Sequence, residues 1–376
     1  MSDNIINFKE VLGASEKLTS FEFFNKIIPY VNNVFKNFNV NSAFVFNMGG
    51  ITNVEPLVIP YLVSLGEWCN FKANCKTVIR IPNDMQTDAL KQYLSAINFQ
   101  EHFNAVFNFE EWGYQSDENT ATFMKGIKKN TKIGVFEIDK VCSEGTYCAP
   151  EYTRNDVWNY LTSMYYSASL ASTRDNYFLD ELLGGREGKD FSSETTRILA
   201  ELSHNALFHG RSNCYLLCEY LTSSNLLKIS LSDLGKGLCK TTLKNNEDAF
   251  KFKEQEMQFF ENKDANRCLH ALIESIMLRI WRKNGLFGVV YTILHNKGKI
   301  RIHTDTCQMV LTNAAKEFFT QDAMTQFSNN DVSIKKRFFS YLTGNIDNPK
   351  FSVIRNTAYF PGVHFEIEMP VPTNFR

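Results

Sequence analysis

The sequence predicts an α/β protein made of two parts. In the first hundred residues, short apolar strand patterns alternate with longer helical patterns, which is typical of units with parallel strands. In the second half, a long amphipathic helix pattern is followed by strands whose apolar and polar residues alternate. The chain has 376 residues, of which 44% are hydrophobic and 22% charged, an ordinary balance for globular domains. This length predicts roughly two or three domains.

The first part contains helix and strand patterns joined by short links. In chain order they are a helix capped by Thr19 and Glu22 and kinked near Pro29, a strand at 42–47, a helix from Asn53 and Pro56 to about Cys69, a strand at 77–81, and a helix capped by Asn83 and Gln86. No glycine-rich phosphate loop and no cluster of acids or histidines occurs among these patterns. They predict a small α/β domain over residues 1–115 and give no indication of its chemistry.

Residues 40–100 resemble a STAS-like domain, the fold of anti-sigma-factor antagonists. The resemblance rests on a strand that leads into NMGGITNVEPLVIPYL, on a second strand, and on a helix that ends in a YL…NF pattern at Tyr93–Phe99. Residues 100–150 lose periodicity, with one or two strand patterns, and we interpret 116–150 as a connector between the two domains. The stretch 100–150 is rich in Phe, Trp and Tyr, so we expect it to pack rather than to act as a free linker.

Composition and charge exclude several classes of function. The net charge of −1 gives no overall field that would attract nucleic acid, and no window approaches the roughly 18 apolar residues that span a bilayer. The N-terminus, MSDNIINFKE, lacks the pattern of a signal peptide. Nine cysteines occur without a C-x-x-C pair, which favours neither a zinc site nor a disulfide framework. We therefore expect a cytoplasmic protein with reduced thiols, which binds neither nucleic acid nor a membrane.

The second part begins with a helix pattern that carries an unusual line of polar residues. The helix is predicted from Ser192 or Ser193 to Gly210, with an apolar stripe of Ile198, Leu199, Leu202 and Ala206. Beside this stripe, Glu201, Asn205 and His209 lie four residues apart and so share one face. Two strands follow, at 213–221 and 226–232, and the second leads directly into the sequence DLGKG. An acid and two glycines at a strand end indicate a place where a ligand approaches the backbone closely.

In this order, the polar helix, the Asp-x-Gly-x-Gly turn and the later strands resemble the GHKL superfamily, which holds gyrase, heat-shock chaperone, histidine-kinase and mismatch-repair ATPases. The ending NAxxHG is similar to that of the anti-sigma-factor serine kinases. The resemblance covers residues 151–376. It implies an α/β sandwich with a mixed sheet, ATP and Mg²⁺ as ligands, and a mobile lid, here at about 238–284.

Site residues follow from this resemblance position by position. Asn205 corresponds to the asparagine that ligates Mg²⁺, and Glu201 to the acid that activates a water or hydroxyl. Asp233 corresponds to the acid that accepts a hydrogen bond from the adenine amino group, while Gly235 and Gly237 give the base room.

These roles agree with the chemistry of the residues. A hard cation prefers oxygen ligands and keeps several waters, and a carboxylate one helical turn away can take a proton during phosphoryl transfer.

The next glycine box departs from the family pattern. In NGLFGVVYTIL, Gly285 corresponds to the first glycine of a helix start that faces the phosphates, Phe287 stands at the second glycine's position, and Gly288 follows one place late. Val363 replaces the threonine that helps to hold the adenine-binding acid. The remaining predicted elements are a lid helix from about Asp264 to Lys283 and strands at 299–304, 307–312 and 363–370.

Several interpretations stay open at this point. His209 is either a helix-end residue or a catalytic group, Lys236 meets either phosphates or water, and the run Arg279, Arg282, Lys283 is expected to be a solvated helix end. The protein is either an Mg²⁺-dependent ATPase or serine/threonine protein kinase, or a nucleotide-dependent regulatory switch, or a scaffold without turnover. Its expected partners are ATP and a protein, which can be its own N-terminal domain, since fusion raises the effective concentration of a partner.

Overall fold

The protein is a mixed α/β protein with a parallel and an antiparallel sheet, which confirms the predicted fold class at this level. The computed structural model describes residues 4–40, 42–82, 86–112, 118–141, 153–166, 178–183, 189–245, 258–277, 285–317, 319, 332–344 and 352–372. Asn83 of one predicted cap and the basic run Arg279, Arg282 and Lys283 lie outside these residues. Within them, no helix has the length and apolar character needed to cross a bilayer.

The described strands form two larger sheets and one short pair. In chain order, β1 to β11 are Asn4–Asn7, Lys17–Leu18, Phe44–Asn47, Asn53–Val54, Thr77–Arg80, Phe107–Glu110, Thr131–Phe136, Cys214–Leu221, Leu226–Asp233, Lys299–Leu311 and Ser352–Pro370. One sheet has the order β1-β3-β5-β6 with all its pairs parallel, the second has the order β10-β11-β9-β8-β7, and β2 pairs with β4. The parallel pairing expected in the first hundred residues is confirmed.

The backbone divides into two compact units, the first of residues 1–135 with 215–220 and the second of residues 136–214 with 221–376. The helices of the first unit, α1 to α7, are Phe8–Leu12, Ser20–Glu22, Ile28–Val34, Ile59–Ala73, Asp88–Ala96, Phe99–Phe103 and Glu118–Asn130. A π-helical turn precedes α3, and a 3₁₀ turn precedes α4. The predicted helices are therefore present, although several are shorter or longer than the sequence indicated.

Local sequence signals explain how two of these helices begin and end. Thr19 and Glu22 form the predicted capping box at α2, because the Glu22 amide donates to Thr19 Oγ1 and the Thr19 amide donates to the Glu22 carboxylate, both at 3.3 Å. Pro29 occupies the second position of α3, directly after the π-helical turn. Helix α4 continues past the predicted end at Cys69 and stops at Asn74, whose φ of 52° is left-handed.

Aromatic side chains fill the core of the first unit. Phe8 contacts Phe46 edge-on, with ring centroids 5.5 Å apart, and Phe46 lies 6.0 Å from Phe107. All three rings are at most 1% exposed. Helix α4 packs on β3 and β5, and its Gly66 lies directly against the Phe107 ring. The parallel sheet is thus buried by apolar packing, as expected for strands covered by helices.

The helices of the second unit are α8 to α14: Arg154–Tyr166, Phe178–Leu183, Lys189–His204, Gly237–Asn245, Lys263–Met277, Gly285–His295 and Val332–Gly344. A π-helical turn, Asn205–Gly210, extends α10 to the predicted end of that helix. Helices α11, α12 and α13 pack on β10, and α10 packs on α13. Helix α12 belongs to the predicted lid segment 238–284, of which residues 246–257 and 278–284 lie outside the described part of the chain.

The antiparallel strands β9, β11 and β10 have one apolar and one polar face. Leu231, Phe365 and Ile302 lie side by side in one row across the sheet, and Ser232, His364 and His303 form the next row. Because successive residues of a strand point to opposite faces, these two rows face opposite sides of the sheet. The alternation of apolar and polar residues in the sequence therefore corresponds to the two faces of the sheet.

The two strands predicted at 299–304 and 307–312 are a single strand, β10, which corrects that prediction. The pairing with β11 shifts register between Thr304 and Asp305 and again between Asp305 and Cys307, and Asp305 has a left-handed φ of 52°. This is a β-bulge, which bends a strand without ending it. Strand β11 likewise begins at Ser352, eleven residues before the predicted start at Val363, because it pairs with the whole length of β10.

Candidate functional site

A cleft in the second unit collects most of the residues predicted to bind a nucleotide. Its cavity volume is about 170 Å³. Its walls come from the end of α10 with the π-helical turn, the end of β9, the starts of α11 and α13, part of α12, and β11. Of the predicted site residues it contains Glu201, Asn205, Asp233, Gly237 and Gly285.

Glu201 and Asn205 lie on the cleft side of α10 and of the π-helical turn that follows it. Both side chains are partly buried, whereas Leu202 is 1% exposed and Ala206 is 3% exposed. Asn205 is the first residue of the π-helical turn, at the point where the helix changes its winding. Such turns occur frequently at functional sites because they redirect side chains. The sequence predicted the shared face correctly but gave no signal for the π-helical winding.

Asp233 ends strand β9 and is 2% exposed at the cleft. Its Oδ1 accepts a hydrogen bond of 2.7 Å from the Gly235 amide, which fixes the orientation of the carboxylate. The Lys236 amide donates to the Gly210 carbonyl at 3.2 Å, so the turn after β9 lies against the end of the π-helical turn. A Cβ on Gly235 would come within 2.5 Å of Gly210 Cα, and this close approach explains why position 235 is glycine.

Two helices begin at the cleft, each with a glycine of positive φ. Gly237 starts α11 with a φ of 68°, and Gly285 starts α13 with a φ of 70°. The free amides and the dipole of a helix start favour a bound anion. Phe287, the departure from the family's glycine box, does not line the cleft. Its ring is fully buried 5.6 Å from Phe319.

A second cleft, with a cavity volume of about 330 Å³, shares Glu201 and Gly285 with the first. Its other walls include Arg154, Arg197 and Gly288. Arg197 donates to Thr292 Oγ1 at 3.1 Å, which holds the guanidinium against the last turn of α13. Glu201 therefore lies at the border of two neighbouring cavities, one of which has two arginines in its wall.

Of the remaining residues that the sequence analysis singled out, some line the first cleft and others do not. Lys236 is exposed and is not part of either cleft wall, and Gly235 contributes through its backbone contact with Gly210. His209 lines the first cleft and is exposed, with its ring 4.9 Å from that of Phe208. Val363, which stands where the family has threonine, lines the cleft beside Asp233.

Three hydroxyl-bearing residues of the cleft wall were not predicted. Thr241 and Thr242 lie on α11 and Ser275 on α12, and the Thr242 and Ser275 hydroxyls are 2.7 Å apart. No local pattern could have indicated them, because the residues that approach each other are 33 positions apart in the chain. They add polar groups to a wall that is otherwise largely apolar.

A buried cluster of two cysteines and an aspartate lies beside the start of α11. The ligand atoms of Cys239, Cys268 and Asp305 all lie within 4.8 Å of one another, and the two sulfurs are 2.8 Å apart. The Cys239 thiol donates to Cys268, which lowers the pKa of Cys268, whereas burial raises the pKa of Asp305. The sequence has no C-x-x-C pair and therefore did not predict a metal site. The fold nevertheless brings these three distant residues together.

Ser232 and His364 form a buried pair that resembles a nucleophile with its base. Ser232 Oγ lies 2.6 Å from His364 Nδ1, and the two residues are 0% and 1% exposed. Burial lowers the pKa of His364 well below its usual value and that of His303 to about 3, so both rings are neutral near pH 7. The pair lies on the sheet face opposite Asp233 and lines neither of the two clefts, so we interpret it as structural.

Comparison of the chain with protein-family models, with curated proteins and with solved structures found no match. The assignment of roles therefore depends on the geometry of the clefts and on the chemistry of their residues.

Proposed function

We propose that the second unit binds ATP with Mg²⁺ in the first cleft and that the protein is an Mg²⁺-dependent ATPase or serine/threonine protein kinase of the GHKL type. One observation carries the proposal. Glu201, Asn205, Asp233, Gly237 and Gly285 are spread over 85 positions of sequence, and all five line one cleft. Each of them has the chemistry that the corresponding part of a bound nucleotide requires.

The adenine end of the cleft is at Asp233. A buried carboxylate whose Oδ1 is held by the Gly235 amide is suited to accept the exocyclic amino group of adenine. Val363 and Phe365 of β11 supply apolar surface beside it, on which a base can pack.

The phosphate end is at Gly285 and Asn205. Helix α13 has eleven residues, and its first residue lines the cleft, so its free amides favour the phosphate groups. The Asn205 amide oxygen is a hard donor in the wall of the cleft, which fits Mg²⁺ that keeps several waters. When bound, the ion would neutralise charge on the phosphates.

Glu201 is the proposed catalytic base. Its position at the border of both clefts suits a carboxylate that takes the proton of a water or a hydroxyl as that oxygen attacks the γ-phosphorus and the bond to ADP breaks. Arg154 and Arg197 in the second cleft are suited to an acceptor or to transferred phosphate. This second cleft supports transfer to an acceptor as well as hydrolysis.

A nucleotide-dependent switch with little turnover is the second candidate. It is favoured by the position of α11, which begins the predicted lid segment and supplies one wall of the cleft, so that a bound ligand contacts the lid directly. The phosphate acceptor or regulated partner would be another protein or the chain's own N-terminal unit. The cytoplasm, where ATP is abundant and thiols stay reduced, is the proposed location.

Isothermal titration of Mg·ATP into the wild type and Asn205→Ala tests the proposal. The variant should bind Mg·ATP on the order of 10- to 100-fold more weakly, because a charge-assisted contact is lost while alanine keeps the helix intact. Asn296→Ala at the end of α13 is the matched control and should bind as the wild type does. Equal affinity in wild type and Asn205→Ala would remove Asn205 from the site.

A further inference from the structure

The cluster of Cys239, Cys268 and Asp305 joins three separate elements of the second unit. Cys239 lies in the first turn of α11, Cys268 in α12, and Asp305 at the bulge of β10. The three residues are 9%, 5% and 6% exposed, respectively. Among the described residues, this is the one group of three potential ligands whose donor atoms converge on a common point.

We propose that this cluster binds a thiophilic divalent metal ion of the Zn²⁺ type. Two cysteine sulfurs and one carboxylate supply three of four tetrahedral positions, and a water can complete the coordination. Magnesium and calcium require oxygen ligands, so two sulfur donors select against them. The proposed ion is therefore different from the Mg²⁺ proposed at Asn205, and the two sites can be tested separately.

The backbone around Asp305 supports a positioned ligand. Asp305 has a left-handed φ of 52° between two shifts of strand register, where the pairing of β10 with β11 is irregular. The carboxylate is directed towards α11. A Cβ on Gly237 would lie 2.6 Å from Asp305 Oδ2, so only glycine permits the helix to start there.

Metal binding requires a small rearrangement of the two sulfurs. They are 2.8 Å apart, whereas two sulfurs about 2.3 Å from a tetrahedral ion are about 3.8 Å from each other. The sulfur–sulfur distance must therefore increase by about 1 Å, and a rotation of the cysteine side chains that is smaller than a change of rotamer achieves this. The thiols give up their protons on binding, and the charge of the ion offsets the buried negative charge that results.

The position of the cluster gives the ion a structural role. An ion bound here fastens α11 to α12 and to β10, and Leu238, next to Cys239, lines the first cleft. The Leu238 amide also donates to Thr304 Oγ1 at 3.0 Å, beside Asp305. The ion would thus hold one wall of the cleft in place without taking part in any reaction there.

Titration of the full-length, reduced and metal-depleted protein with Co²⁺ tests the proposal. Thiolate ligation by Co²⁺ produces a charge-transfer absorption in the near ultraviolet, and tetrahedral geometry produces strong visible bands. We expect saturation at about one ion per chain, displacement by Zn²⁺, and no displacement by Mg²⁺. Cys239→Ser and Cys268→Ser should each abolish the absorption, and Asp305→Asn should weaken binding about tenfold or more.

Cys75→Ser removes an exposed cysteine elsewhere in the chain and should leave the titration unchanged. Far-ultraviolet circular dichroism of the metal-free variants checks that they fold. If the cluster variants do not fold, the wild-type spectrum decides, since two thiolates and a tetrahedral geometry are read from it directly. The proposal is contradicted if the wild type shows no thiolate absorption. It is equally contradicted if mass spectrometry finds a disulfide between Cys239 and Cys268 in a chain that binds no metal after reduction.

Discussion

The two units of the protein both combine helices with a sheet, but they use their polar residues differently. In the first unit, buried polar side chains satisfy the backbone: Asn4 donates to the carbonyls of Asn39 and Ser42, and the Thr77 amide donates to Asn70. In the second unit, Glu201 and Asp233 line an open cleft.

The close contacts that glycine permits also differ between the two units. Gly66 of the first unit admits the ring of Phe107, a core residue, whereas Gly235 of the second unit admits the backbone of Gly210 at the edge of the cleft. Similar local features, such as a glycine at a contact or a polar group at an element's end, therefore lie in the core of the first unit and beside a cavity in the second. Substitutions in the two units should separate stability from ligand binding.

The largest expected effect is the loss of turnover in Glu201→Gln. Removal of a general base should reduce ATP hydrolysis or phosphotransfer by about 10²- to 10⁴-fold while Mg·ATP still binds, because the base acts mainly in the transition state. Steady-state phosphate release and titration calorimetry measure the two quantities. Glu194→Gln is the matched control: Glu194 lies seven residues earlier on α10, is exposed, and lines neither cleft, so its turnover should match the wild type.

If the wild type releases and transfers no phosphate with any tested protein partner, the regulatory switch replaces the enzyme as the proposed function.

Gly66→Ala and Gly235→Ala compare a close contact in each unit. Both added methyl groups collide with neighbours, so each variant should lose about 1–3 kcal/mol of unfolding free energy. Only Gly235→Ala should also weaken Mg·ATP binding, since its Cβ would lie 2.8 Å from Asp233 Oδ1 and would displace the carboxylate. Chemical denaturation and titration calorimetry provide the comparison. A fall in ATP affinity in Gly66→Ala equal to that in Gly235→Ala would contradict the separation of the two units.

The buried histidines of the second unit predict a loss of stability in acid. The pKa of His303 is about 3 in the folded protein because of burial, against 6.5 for a free histidine, so the unfolded chain binds the proton first. Stability should be complete well above pH 6.5 and should fall as the pH drops, by roughly 1 kcal/mol at pH 5.5 from this residue alone.

Urea unfolding of His303→Gln at several pH values tests this dependence. The glutamine can keep a hydrogen bond to Thr357 Oγ1, which His303 Nε2 contacts at 2.9 Å, but it does not titrate. The slope of stability against pH should therefore decrease. An unchanged slope in His303→Gln would show that His303 is not the group concerned.

Local patterns predicted the elements better than their contacts. The period of the apolar residues placed Glu201 and Asn205 on one face, and the alternation in β9 placed Asp233 at the end of a strand, because both signals depend on residues close in sequence. The bulge at Asp305 was missed, since Asp305-Thr306 between two strand patterns is also typical of a turn. The convergence of Cys239, Cys268 and Asp305 depends on tertiary packing, which no spacing in the sequence encodes.

Titration of Mg·ATP and Mg·GTP into the wild type and into Asp233→Asn tests whether the cleft at Asp233 binds ATP. A buried acceptor built for the adenine amino group discriminates against guanine, which has no amino group at that position. We expect saturable binding of one ATP per chain, a preference for ATP over GTP of about tenfold or more, and a smaller preference in Asp233→Asn. No binding of ATP, or equal affinity of the wild type for both nucleotides, would contradict the account.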